Sequence, residues 1–194
     1  MRFIIMISSI AVAFPAVAQL GNPAVWAPDT RLEKPGVPAP NQTNTTDRLF
    51  AQLFAAGGMA EVELGRLAAG KARSSTVKEF ANRMVQDHTF ANEKLSGIAE
   101  MSKIPLPTEL TADHQRIRDD LEKQDEGFDL AYMRAQVVEH QKAAQLLVWQ
   151  IGSGQDGELQ RFASATLPTV LDHLELARIL TAELSGQALA ARQP

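Results

Sequence analysis

The stretch TVKEFANRMVQDHTFANEKLSGI, residues 76–98, decides the fold. Val77, Ala81, Met84, His88, Ala91, Leu95 and Ile98 recur in it at alternating steps of four and three. That is the period of one face of an α-helix, held over about six turns. Thr76 with Glu79 three residues later reads as a capping box at its start. Pro105 and Pro107 end any continuation.

The same texture extends on both sides. Upstream, residues 47–71 carry Phe50, Leu53, Gly57, Ala60, Leu64 and Leu67 as an inward series. Downstream comes a connector, residues 106–124, in which Thr111 can cap a short helix through Leu121. A third long segment, residues 125–151, presents Leu130, Met133, Val137, His140, Ala144, Leu147 and Ile151. The run GSGQDG at 152–157 is a stop and a turn. A fourth, residues 158–184, presents Leu159, Ala163, Thr166, Val170, His173, Ala177, Leu180 and Leu184, and Pro168 inside it predicts a kink.

Nothing in these segments alternates with period two, so no sheet is expected. Two short links make two helix hairpins, and one long connector joins the pairs. The predicted class is all-α, with the connectivity of a ferritin-like four-helix bundle. Gly57-Gly58 reads as close helix packing. Phe80, Phe90, Phe128, Tyr132, Trp149 and Phe162 read as core and inter-helix filler.

The ends have other textures. Residues 1–18 combine Arg2, the apolar run from Phe3 to Phe14 and the small-x-small triplet Ala16-Val17-Ala18, which is a secretory signal pattern. Residues 19–45 hold five prolines and Trp26 and read as a proline-rich leader. The bundle is assigned to residues 46–186 and a flexible tail to 187–194. The expected address is export, to a periplasm or bacterial cell envelope, with no membrane span after signal cleavage.

Composition narrows the chemistry. The 194 residues include no cysteine, which excludes disulfides, thiolate metal sites and a cysteine nucleophile. A net charge of −4 gives no basic footprint for nucleic acid. No phosphate-binding glycine loop occurs, and Ser153 lacks the strand–turn–helix setting of a nucleophile elbow.

Several stretches together resemble a known family. They are AEVELG at 60–65, FANRMVQDH at 80–88, FDLAYM at 128–133 with Glu139-His140, and FASATLP at 162–168 followed by His173-Leu174. The chain resembles, over about residues 46–184, a bacterial family of exported ferritin-like proteins catalogued as a domain of unknown function, often labelled outer-membrane proteins. The resemblance implies a ferritin-like bundle and an envelope location, and no activity.

Of the four histidines, His88, His140 and His173 fall on the inward stripes of three different helices at similar depth. Glu61 lies at comparable depth on the first helix. Each helix can thus deliver one nitrogen or oxygen ligand to the middle of a bundle, a donor set that suits zinc, copper or iron. The di-iron signature Glu-x-x-His is absent, because Val85, Val137 and Val170 stand three residues before these histidines. The competing reading is a buried polar layer that fixes helix register. Each histidine follows an acid, and adjacent residues on a helix diverge by about 100°, so each acid is better placed to hold a histidine of another helix. His114, on the connector, is expected at the surface.

Three readings of function follow. The leading one is an exported, non-catalytic envelope bundle with a binding or stress-related role. The others are a metal-binding bundle holding one transition metal ion at the central histidines, and an interaction module tethered by its leader to an envelope protein partner.

Overall fold

A computed structural model describes residues 32–34, 37–38 and 41–190. The signal pattern at 1–18, Trp26 and the last residues of the tail lie outside the described residues. Five helices follow in order: α1 (Thr45–Lys71), α2 (Ser75–Met101), α3 (Ala112–Glu122), α4 (Phe128–Ser153) and α5 (Gly157–Ala190). Ahead of them, β1 (Leu32–Lys34) pairs antiparallel with β2 (Val37–Pro38). This small ladder departs from the expectation of no sheet. It lies within the leader.

Local chemistry sets the helix ends. Asn44 and Asp47 form the capping box of α1: the Asp47 N–H donates to Asn44 Oδ1, and the Asn44 N–H donates to Asp47 Oδ2, both at 2.9 Å. The box expected at Thr76 and Glu79 does not form. Helix α2 starts two residues earlier, behind Ser74 as its N-cap, whose hydroxyl pairs with that of Thr76. The N–H groups of Arg73 and Ser74 donate instead to Asp129, from the first turn of α4. Thr111 caps α3 as expected. Gly127 begins α4 at φ +85°, a conformation that favours glycine. Helix α5 passes Pro168 without a break and runs beyond Leu184 to Ala190.

Helices α1 and α2 pack along each other, as do α4 and α5. The hairpins meet through α1 against α4 and α2 against α5, and α3 lies over α1 and α4. Small residues allow the tight pairing. A Cβ built on Gly65 would lie 2.8 Å from Val85 Cγ2 and 3.0 Å from the Ala81 carbonyl oxygen. Gly58 is packed against Asn92, whereas a Cβ on Gly57 would meet nothing within 4 Å. The close packing read into both glycines therefore holds at one of them.

The core is divided in two. One apolar cluster gathers Leu64, Phe80, Met84, Tyr132, Met133 and Leu180 among others. The second gathers Phe50, Phe54, Leu95, Leu147, Leu159 and Phe162. Burying each large side chain contributes about 1.5–3 kcal/mol. Between the clusters, along every long helix, the buried residues turn polar: Glu61, His88, Gln136, His140 and His173. The predicted stripes of α2 and α5 hold well. That of α1 is rotated, because Phe54 is buried while Leu53 is 50% exposed. On α4, Ile151 is exposed, and Tyr132 and Gln136 take inward places. Phe90 and Trp149 are exposed, not filler. No described helix is long and apolar enough to cross a membrane.

Candidate metal centre

Helices α2, α4 and α5 bring His88, His140 and His173 together in the polar layer. Their ring centroids form a nearly equilateral triangle, with sides of 5.4, 5.6 and 5.3 Å. One nitrogen from each lies within 4.8 Å of the other two. The Nε2 atoms of His88 and His140 are 3.4 Å apart. Ligand nitrogens at 2.0–2.1 Å around one ion are separated by about 3.3–3.6 Å, so this pair already stands at ligand spacing.

Partners fix which nitrogen carries a lone pair. His140 Nδ1–H donates to the Gln136 carbonyl oxygen, 2.9 Å away and one turn back on α4. Its Nε2 is therefore the acceptor. His173 Nε2–H donates to Asp87 Oδ2 at 2.8 Å, which leaves Nδ1 as the acceptor. Among the described residues that Nδ1 is buried without a hydrogen-bond partner. A second partner that fixes the tautomer of a ligating imidazole is a general feature of metal sites. The acid beside each histidine behaves as the spacing suggests: Asp87 holds His173, not its neighbour His88, and Glu139 lies 3.5 Å from His114.

Burial keeps the cluster neutral. It holds His88 well below the ordinary imidazole value, with His140 and His173 adding to the effect. Burial pushes His140 down to about 4 against its bond to the Gln136 carbonyl, and His173 to about 4 against its bond to Asp87. Neutral imidazoles have the lone pair a metal requires.

Glu61 is part of this layer but outside the triangle. Its Oε2 accepts from Gln136 Nε2 at 2.8 Å, and its Oε1 is 3.8 Å from His140 Nδ1, the nitrogen already committed to the Gln136 carbonyl. Burial raises its carboxyl to about 8, against the bond from Gln136. Glu61 thus sits behind His140, on the side away from its acceptor nitrogen. Gln136 went unnoticed in the sequence because a glutamine off the predicted stripe carries no signal of its own. His114 is only 14% exposed at its side chain, more enclosed than a surface residue, because Glu139 of α4 receives it. Burial works to raise Glu139, but the bonds from His114 and Lys142 outweigh it and keep the carboxyl low.

Two clefts reach the triangle. One, of about 550 Å³, opens between α1 and α4 and touches His88 and His140. The other, of about 700 Å³, opens between α2 and α5 and touches His88 and His173. The centre is therefore approachable from both seams between the hairpins.

Comparison with known proteins adds the lineage. Comparison with curated proteins finds no match. A crystal structure of a DUF305 fragment from Deinococcus radiodurans is similar in fold, with a TM-score of 0.63 and 14% identity over 74% of this chain and 97% of that one. A family model described as a domain of unknown function, DUF4142, matches residues 32–180. The chain therefore belongs to the DUF4142 family.

Proposed function

We propose that this protein is a transition-metal-binding bundle of the ferritin-like type that works outside the cytoplasm. The observation that carries the metal reading is the histidine triangle, with one nitrogen of each ring within 4.8 Å of the other two and, among the described residues, His173 Nδ1 buried without a partner. Three neutral imidazoles suit zinc, copper or iron and leave a coordination position for water or another ligand. The ferritin-like reading is supported by two long hairpins joined through α3 and by ligands drawn from facing helices. The address is supported by the signal pattern at residues 1–18.

Elemental analysis of the purified protein, before and after loading with Zn²⁺, Cu²⁺ or Fe²⁺, tests the metal. We expect one ion per chain, lost in His88→Ala, His140→Ala and His173→Ala. Absence of metal above background in the loaded wild type overturns the reading. A second reading, a register-fixing polar layer, is favoured by the 3.4 Å spacing of His88 and His140 Nε2, at which one ring can donate to the other. It expects no metal, and a loss of unfolding stability in each variant.

A further inference from the structure

The cleft between α1 and α4 does more than open onto the histidines. Its walls are apolar, with Leu53 and Phe54 on one side and Leu146 and Trp149 on the other. Leu53 and Trp149 are exposed at 50% and 37%, so the walls continue to the surface. Space is built in at Gly57, where an added Cβ would meet nothing within 4 Å. At the foot stands Glu61, nearly buried. Among the described residues its Oε1 accepts no hydrogen bond, since the nearest donor, His140 Nδ1, is 3.8 Å away and spent on Gln136.

Charge narrows the occupant. Among the described residues Lys142 is the one lysine or arginine on the lining; it is largely exposed and bound to Glu139 at 2.8 Å, and the other lining carboxylate near the mouth, Asp113, is paired with Arg116 at 3.2 Å. No cation waits at the foot for an anion. Either kind of ion would lose its hydration against Leu53, Phe54, Leu146 and Trp149. A cleft of about 550 Å³ is within the size range of small-molecule sites.

We propose that this cleft binds a compact, uncharged molecule with an apolar body between Leu53 and Trp149 and one hydroxyl group that hydrogen-bonds the Glu61 carboxyl. The proposal goes beyond the metal reading and does not depend on it.

Phenol is the probe, with benzoate and benzylamine as its anionic and cationic counterparts. Each is titrated into the purified protein, with and without chelator, while the backbone amide signals of Gly57 and Gly58 are followed by NMR. Phenol should shift both signals saturably, and the two ions should not at the same concentration. Gly57→Leu should weaken phenol at least about tenfold, a free-energy change of about 1.4 kcal/mol, with the metal content unchanged. Leu53→Glu, at a half-exposed position, should weaken it as well. No saturable shift with phenol, equal binding of either ion, or wild-type affinity in both variants overturns the proposal. Metal content is read separately, so loss of one proposal leaves the other standing.

Discussion

Two buried polar regions lie in this molecule, and they are built on opposite principles. At the end of the helical body, Asp47 is fully enclosed and surrounded by donors. Its Oδ1 accepts from Gln150 Nε2 and the Gln155 N–H, and its Oδ2 from the N–H groups of Asn44 and Asp156. The atoms left over there are neutral amide oxygens, on Gln150 and Gln155. In the middle, among the described residues, the histidine layer leaves an amide oxygen of the same kind, Gln136 Oε1, and in addition a ring nitrogen, His173 Nδ1, without a partner. The first region spends its polarity on holding the start of α1 to the turn between α4 and α5. The second keeps a lone pair in reserve. A buried polar group that is satisfied locks a fold, whereas one left open is a candidate for chemistry.

Acid should separate the two regions most strongly. His140 and His173 ionise near 4 when folded but near 6.5 when unfolded, and His88 is displaced in the same direction. Their stabilising effect is complete above pH 6.5 and is lost as the pH falls through about 4, because the unfolded chain takes up protons first. Glu61, raised to about 8, works the other way: its contribution is present below its unfolded value of 4.5 and fades as the pH rises through 8. Three groups oppose one, so metal-free protein should lose stability on acidification across pH 6.5 to 4, measured by urea unfolding. A flat profile would break the assignment of the layer as neutral imidazoles.

Next in size, Asp47→Ala should cost about 3 kcal/mol or more, since it strands several buried donors at once. Metal content per folded molecule should not change. A loss under about 1 kcal/mol in urea unfolding would mean that the carboxylate is not a lock.

The smallest of the three concerns Asp87, which is partly exposed and also pairs with Arg83 at 3.2 Å. Asp87→Asn should lower metal affinity by about 10–100-fold while the fold persists, because it loosens the orientation of His173. Competition with a chromophoric chelator measures it, and unchanged affinity would remove Asp87 from the site.

The two regions also differed in how far they could be read from sequence. The histidine triangle was legible because its members fall on apolar stripes with helical period, and a polar residue on such a stripe stands out. The Asp47 lock was not. Its partners lie about a hundred residues away, and its capping box, Asn44 with Asp47, stands at the start of α1, where no box was expected; the expected one, Thr76 with Glu79, belongs to α2. The long helices were legible for the same periodic reason. The stripe of α1 was misread by about one position because alanine and glycine dominate it, so Leu53 and Phe54 fitted almost equally well. Packing edge-on against Phe162 of α5 decided in favour of Phe54.

The division of the triangle between the hairpins bears on the order of events in folding. His88 belongs to the α1–α2 hairpin, and His140 and His173 to the α4–α5 hairpin. Each hairpin closes through contacts near in sequence and can form early. The three nitrogens converge only when the hairpins dock. An ion held by all three would then act after the rate-limiting encounter, slowing the separation of the halves more than it hastens their meeting. The histidines would serve as a clasp, and the residence time of the metal would set how long the two halves of the protein stay closed.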